Sequence, residues 1–250
     1  GFVLAQNKPG DVESKDNRII SPRTYLAKEE VAQVVGYRQL ADNNDIKNDN
    51  CLNKLKLGDK VGKKGVEKLY DCQLRGIAGK KLIEVDAHGK YLRTISVIFP
   101  IDGETIQLSI DLDLQKKAYD LIKNKRAAVV GLDPSTSQVT VFVSSPSFDP
   151  QKFENGDTTL NTYFTDPNKP LFDRITEGTY PPGSLFKLFI ATGILEDKKM
   201  KSDTVVMDNG SIKAGAATFG NWYYLQYGKT EGPVDLVKAI RRSNDIYFYK

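Results

Sequence analysis

Apolar and polar positions run with the short period of a strand at Lys81 to Val85 and again at Tyr91 to Val97. Between them lies Asp86-Ala87-His88-Gly89-Lys90, so the pattern predicts a β-hairpin turning at His88-Gly89. A second hairpin is predicted from Ala127 to Leu132 and Gln138 to Ser144, two apolar runs separated by Asp133-Pro134-Ser135-Thr136-Ser137. Thr105-Ile106-Gln107-Leu108-Ser109-Ile110 alternates as a further strand. Asp111-Leu112-Asp113 then offers acidic caps, and Leu114 to Asn124 has apolar residues at helical spacing. The Gly65 to Leu74 stretch has the same helical period and stops at Arg75-Gly76. Ala27 to Gly36 fits either a short helix or an extended segment closing on a glycine. Ser184 to Leu195 is apolar on more than one face, through Leu188, Phe189, Ile190 and Ile194, which predicts a buried central helix. Thr204-Val205-Val206-Met207 reads as a short strand, and Pro233 to Arg241 as a helix with proline at its first position.

The polar stretches between these elements set the organisation. Residues 7 to 22 are rich in turn formers, and Asp42 to Asn53 is dense in Asn and Asp, the composition of an exposed loop. Pro146 to Pro182 is too long for a simple connection and is expected to be a functional surface or a wrap around a site. The expected class is α+β, with a small module at 1–100 and, at 101–250, an antiparallel sheet covered by helices. The chain ends on Ile246-Tyr247-Phe248-Tyr249-Lys250 with no polar tail, from which we expect the second domain to be cut before its end.

Composition narrows the function classes. At 250 residues and 40% hydrophobic content the chain can bury one large core or two smaller ones. Its net charge of +4, from 36 basic and 32 acidic residues, describes a mixed solvated surface. The basic runs Lys54 to Lys64 and Lys198 to Lys201 lack interleaved aromatics or zinc-ligand spacing, so nucleic acid is not expected as a partner. No stretch of about 18 apolar residues is present, and Gly1-Phe2-Val3-Leu4-Ala5-Gln6 is too short for a leader peptide, so any membrane anchor is expected outside this chain. Cys51 and Cys72 are too few for a disulfide-built scaffold and would form a single bridge only in an oxidising compartment. His88 is the sole histidine and sits in a turn, which leaves little for metal catalysis.

The candidate chemistry lies in Tyr180-Pro181-Pro182-Gly183-Ser184-Leu185-Phe186-Lys187, a turn signal feeding the apolar run. Residues three apart on a helix share a face, so the Lys187 amine can approach the Ser184 hydroxyl. A serine hydroxyl needs a base to act as a nucleophile at neutral pH, and a neutral lysine amine can supply it. The unpaired N–H groups of the helix start would favour an oxyanion beside the serine. Alone, Ser-x-x-Lys equally describes an N-cap serine and a surface lysine. Ser243-Asn244-Asp245, alone, equally describes a helix C-cap and turn.

Together these segments resemble the class B penicillin-binding proteins. Pro181-Pro182-Gly183-Ser184-Leu185-Phe186-Lys187 is similar to the family's nucleophile motif, and Ser243-Asn244-Asp245, followed by Tyr247-Phe248-Tyr249, is similar to its second motif. Gly65 to Tyr70 with Leu74-Arg75-Gly76, Asp111-Leu112-Asp113-Leu114-Gln115, Leu132-Asp133-Pro134 and Ser145 to Pro150 agree in the family's order. The likeness is thinner over residues 1–64, where Arg23-Thr24-Tyr25 and Val34-Val35-Gly36-Tyr37 carry it. The elongation-type branch, penicillin-binding protein 2, is resembled more than the division-type branch.

The resemblance implies a dimerisation-type pedestal at 1–100 and the first part of a transpeptidase domain at 101–250, on the extracytoplasmic face of a bacterial membrane. It implies a serine D,D-transpeptidase that cross-links peptidoglycan stem peptides, is acylated by β-lactams, works beside a membrane glycosyltransferase and needs no cofactor or metal. Ser184 would be the nucleophile, Lys187 the base, Ser243 a proton-relay partner and Asp245 a hydrogen-bond partner of Lys187 or of the substrate amide. The family's third motif is absent: Lys229-Thr230-Glu231-Gly232 precedes Ser243 and lacks glycine at its third place, so it is read as a loop. Without that motif the chain as it stands is expected to be inactive. Ser135-Thr136-Ser137-Gln138 also replaces the family's Thr-Gly hairpin turn, a change of turn geometry rather than chemistry. A β-lactam sensor or serine β-lactamase, and a non-catalytic cell-wall scaffold, are the competing readings.

Overall fold

A computed structural model describes residues 4–7, 12–13, 18–20 and 22–250, and has the mixed α+β content expected. The expectations for residues 1–6 and 7–22 lie in part outside the described residues. Packing divides the chain into two compact units, one up to Thr179 and one from Tyr180 to Lys250.

In the first unit the alternating runs form the two predicted hairpins. Ala127–Leu132 pairs antiparallel with Val139–Ser145. Gly79–Val85 pairs with Tyr91–Ile98 in a four-stranded antiparallel sheet completed by Val12–Glu13 and Arg18–Ile20. The Leu112–Ile122 helix starts where the Asp111 carboxylate accepts from the backbone N–H groups of Asp113 and Leu114. It presents Gln115, which is fully buried: its amide donates to the carbonyls of Glu30 and Phe142, and its oxygen accepts from Phe142 N. One polar side chain thereby joins the helix, the hairpin and the segment before the Ala32–Val35 helix, with its hydrogen-bonding groups satisfied. The 23–40 and 127–155 stretches are knit in the same way, by Arg23, Arg38 and Gln151, which explains why packing groups them into one unit.

Among the described residues, three apolar clusters rather than one large core support this unit. They centre on Tyr25, Val31 and Leu112; on Ala32, Phe148 and Phe153; and on Ala41, Leu55 and Val61. Phe148 and Phe153 are fully enclosed, and Tyr37 stacks on Phe153 at 3.8 Å between ring centroids. Burying each phenyl ring is worth about 2–3 kcal/mol. Gly36 ends the Ala32–Val35 helix at φ 77°, and any Cβ there would fall within 1.7 Å of the Lys64 carbonyl oxygen, so only glycine fits. Cys51 and Cys72 are joined in a disulfide.

Several expectations change. The Asp42–Asn53 segment is not simply a loop: Asn43–Lys47 is helical, started by a reciprocal capping box between Asp42 and Asp45. Gly65 to Leu74 breaks at Tyr70 into helices Gly65–Leu69 and Asp71–Leu74. Thr105–Ile110 joins no ladder despite its alternation; its end is held by the Ser109 hydroxyl donating to Val139 O and by Asp111 N donating to Thr140 O. The long 146–182 stretch contains helices Pro150–Asn155 and Asn161–Thr165, the first begun by Asp149 and a proline at its start.

The second unit is built on one cluster of Ala191, Val234, Leu236, Ala239 and Tyr247. Val206–Asp208 pairs antiparallel with Gly232–Val234, and Ser211–Ala214 pairs with Ala217–Gly220. Pro233 therefore lies in a strand and does not open the next helix. Asp235 does, its carboxylate accepting from Lys238 N ahead of Leu236–Arg242. The Phe186–Glu196 helix forms as the apolar run predicts, yet it is not buried within its unit: Ala191 is enclosed, while Phe186, Leu188 and Phe189 are exposed. The predicted burial came from composition alone, and the elements of this unit cover one narrow side of the helix.

Candidate active site

All four predicted site residues fall in the second unit. Ser184, expected to open the helix, lies ahead of it in the 3-10 turn Gly183–Leu185 that leads into the Phe186–Glu196 helix, and its side chain is exposed. The turn needs Gly183, whose φ of 55° is left-handed although open space surrounds it. Lys187 follows on the first turn of the helix. Among the described residues no hydrogen bond joins it to the Ser184 hydroxyl.

Lys187 is instead clasped by the segment that follows the Leu236–Arg242 helix. Its Nζ donates to Ser243 O at 2.7 Å, to Ser243 Oγ at 3.1 Å and to Asp245 Oδ1 at 2.6 Å. Three acceptors for three N–H donors is the hydrogen-bond inventory of an ammonium group. The ion pair is largely enclosed, with 13% of the lysine side chain and 22% of the aspartate side chain exposed, and the Phe248 ring lies 5.8 Å from Nζ. Residues 56 and 58 positions apart in the chain thus meet at one nitrogen.

The local backbone explains how this segment reaches the lysine. Ser243 ends its helix in the left-handed region, φ 50° and ψ 44°, and Asn244 immediately starts the Asp245–Tyr249 helix by accepting from Tyr247 N at 3.0 Å. The capping geometry and the lysine contact are therefore properties of the same three residues. A non-glycine residue in the left-handed region costs about 1–2 kcal/mol, and the neighbouring contacts must hold it there.

Two further residues bear on the site. Asn221, fully buried, accepts from Asp245 N through Oδ1 at 3.2 Å, and Trp222 N donates to Asp245 Oδ2 at 3.3 Å. Asp245 thus divides its carboxylate between the lysine and the backbone that opens the Trp222–Tyr227 helix. Neither stands out in the sequence; the position of Asn221 just ahead of a helix is its one local signal. Lys229 to Glu231 leads into the Gly232–Val234 strand, and Glu231 forms an ion pair with Arg242 at 2.8 Å. Among the described residues no group of three or more His, Cys, Asp or Glu side chains is placed to hold a metal ion.

Chemically the arrangement offers an exposed hydroxyl at a helix entrance, an amine three residues on, and a second hydroxyl hydrogen-bonded to that amine. Those are the parts of a serine acyl-transfer site.

Comparison with known proteins identifies the family. Residues 127–250 match the penicillin binding protein transpeptidase domain, and residues 16–108 match the penicillin-binding protein dimerisation domain. The peptidoglycan D,D-transpeptidase MrdA of Haemophilus influenzae is 34% identical over 236 residues, covering 91% of this chain and 36% of that protein. A crystal structure of Pseudomonas aeruginosa PBP2 in complex with WCK 5153 superposes with a TM-score of 0.78 at 32% identity, over 100% of this chain and 49% of the other. PBP2 of Helicobacter pylori, in a complex with MreC, gives a TM-score of 0.74 at 32% identity over 92% of this chain and 42% of that one. The chain spans between about a third and a half of the length of these relatives.

Proposed function

Because the chain belongs to the class B penicillin-binding proteins and is homologous to the elongation-type transpeptidases, we propose that it carries the acylating end of a peptidoglycan D,D-transpeptidase. The observation that carries the proposal is the meeting of Lys187 with Ser243 and Asp245 on the helix that Ser184 introduces.

In this reading Ser184 Oγ attacks the carbonyl of the penultimate D-Ala of a stem peptide, and its proton passes to Lys187. The transfer requires the lysine as its neutral amine; once it has taken the serine proton, the Ser243 hydroxyl, 3.1 Å away and able both to donate and to accept, relays a proton onward to the leaving nitrogen. The oxyanion faces the N–H groups of the Gly183–Leu185 turn. The C–N bond to the terminal D-Ala breaks as the relayed proton reaches its nitrogen, leaving an ester on Ser184. An amine of a neighbouring stem then attacks the ester, forms the cross-linking amide and returns the proton to the serine. β-Lactams would acylate the same oxygen.

We further propose that residues 1–100 belong to a dimerisation-type pedestal and 101–250 to the start of the transpeptidase domain, on the extracytoplasmic side of a bacterial membrane. No helix among the described residues is long and apolar enough to cross a membrane. The Cys51–Cys72 disulfide supports an oxidising compartment. The complex of the H. pylori relative with MreC supports a partner from the elongation machinery for this chain too, and a membrane glycosyltransferase is the partner the family likeness adds.

The test uses the full-length protein, a pentapeptide stem donor ending in D-Ala-D-Ala and a labelled D-amino acid acceptor. Exchange of the terminal D-Ala for the label, abolished by Lys187→Ala, is the expected result. Rapid turnover of β-lactam without exchange would instead identify a hydrolase, and no reaction with either would leave a scaffold.

A further inference from the structure

Asp208 is a buried carboxylate that the proposed chemistry does not use. It ends the Val206–Asp208 strand, is 1% exposed, and among the described residues has no cation paired with it. Its partners are four N–H groups: Gly210 N donates to Oδ1 at 2.7 Å, while Asn221 Nδ2 at 2.8 Å, Asn244 Nδ2 at 2.7 Å and Glu231 N at 3.2 Å donate to Oδ2. A carboxylate accepts through both oxygens, and here three of the four donors converge on Oδ2 while Gly210 N reaches Oδ1. An amide with its oxygen at the Oδ2 position would lose the negative charge and turn its NH2 against the Gly210 N–H.

Two of the four donors lead directly to the residues that clasp Lys187. Asn244 stands between Ser243 and Asp245; with its amide on Asp208, its Oδ1 on Tyr247 N and its own N–H on Ala239 O, it is fixed at both ends of the side chain and at the backbone. Asn221 turns its oxygen to Asp245 N while its amide is held by Asp208. Gly210 closes the arrangement: its φ of 90° turns the chain back over Asp208, its carbonyl accepts from Asn221 N, and the Tyr224 ring lies 2.5 Å from where a Cβ would sit.

We propose that Asp208 is a positioning residue, whose carboxylate locks Asn221 and Asn244 so that Ser243 and Asp245 are held at Lys187. This role rests on the transpeptidase reading for its catalytic consequence, but not for its geometric one.

The experiment therefore has two readouts on the full-length protein, wild type and Asp208→Asn. The first separates penicillin binding from the acylation step that follows. Loss of one charge-assisted hydrogen bond corresponds to on the order of tenfold, so acylation should slow by about that factor or more while initial binding stays within about twofold. The second, independent of activity, is NMR exchange of the Lys187 Nζ protons, which should become at least about tenfold faster as the clasp loosens. Asp208→Asn that is folded and unchanged in both readouts overturns the proposal. If the wild type is not acylated, the transpeptidase reading fails, and the exchange measurement alone decides whether Asp208 positions the clasp. Should Asp208→Asn not fold, Asn221→Ala, which cuts one of the two arms, is judged by the same criteria. A lowered melting temperature without change in either readout would mark a merely structural residue and would equally overturn the proposal.

Discussion

In the unit that ends at Thr179, the carboxylates of Glu67 and Glu154 are buried against guanidinium groups; in the unit that begins at Tyr180, the carboxylate of Asp208 is buried against N–H groups alone. Glu154, 2% exposed at its side chain, accepts from Arg38 Nη2 at 2.6 Å and from Arg23 N at 2.9 Å, with Lys60 3.2 Å away. Glu67 pairs with Arg23 at 3.0 Å and accepts from the Tyr25 hydroxyl at 3.1 Å. Burial pushes the Glu154 carboxyl up, but the Arg38 charge and its hydrogen bonds outweigh it and hold the group below the usual carboxylate range. Burial, with Glu67 beside it, drives the Tyr25 phenol far above its ordinary range.

The difference shows what each network is for. Charge facing charge ties sequence-distant strands together, and removing one member strands the other, so its loss is felt as stability. The compensation of Asp208 is spread over four dipoles, two of which are the asparagines that hold the lysine clasp, so its loss is felt first as geometry.

The largest expected effect breaks the first network. Glu154→Gln leaves Arg38 buried without its counter-charge and should cost about 3–5 kcal/mol, measured by urea unfolding; a loss below about 1 kcal/mol would mean the pairing contributes no more than a surface bridge. Next in size is the covalent tie in the same unit. Opening the Cys51–Cys72 bridge, which spans 21 positions, by the double Cys→Ser change should cost about 3 kcal/mol by loop-closure entropy, read from the shift in urea midpoint.

Acid titration comes third. Burial raises the Asp49 carboxyl, but hydrogen bonds from Arg75, Leu55 N and Cys51 N overcome this and hold it at about 2. A group depressed in the folded state contributes stability above its unfolded value, near 4, and loses it as pH falls toward its folded one. The first unit should therefore lose up to about 2 kcal/mol between about pH 5 and pH 2, and Asp49→Asn should flatten that slope. The smallest effect sharpens the other side of the comparison: Asp235→Ala removes the cap of the helix that ends at Ser243 and should cost about 1 kcal/mol in the second unit, seen as a small fall in melting temperature.

Sequence reading reached the parts of this molecule whose chemistry is local. Both hairpins follow from alternation bounded by turn residues, and the Phe186–Glu196 helix that carries Lys187 follows from its apolar run. It failed where partners are remote or patterns carry two meanings. The Asn43–Lys47 helix has caps but no apolar stripe, so composition pointed to a loop. Thr105–Ile110 has the strand pattern but, among the described residues, no strand to pair with, and Pro233, read as a helix start, pairs across a ladder with Met207. Asp208 and Asn221 were missed because an isolated acid and an isolated amide announce nothing; their meaning arises when the fold sets them 2.8 Å apart, under a motif more than 20 residues further on.

The central claim is that Ser184 is the nucleophile of an acyl-transfer site completed by Lys187, Ser243 and Asp245. The most direct test is intact-protein mass spectrometry of the full-length protein after incubation with penicillin, followed by peptide mapping, beside Ser184→Ala. The account predicts one persistent adduct, mapped to the peptide containing Ser184 and absent from the variant. A folded wild type with no adduct, or an adduct that survives Ser184→Ala, would contradict it.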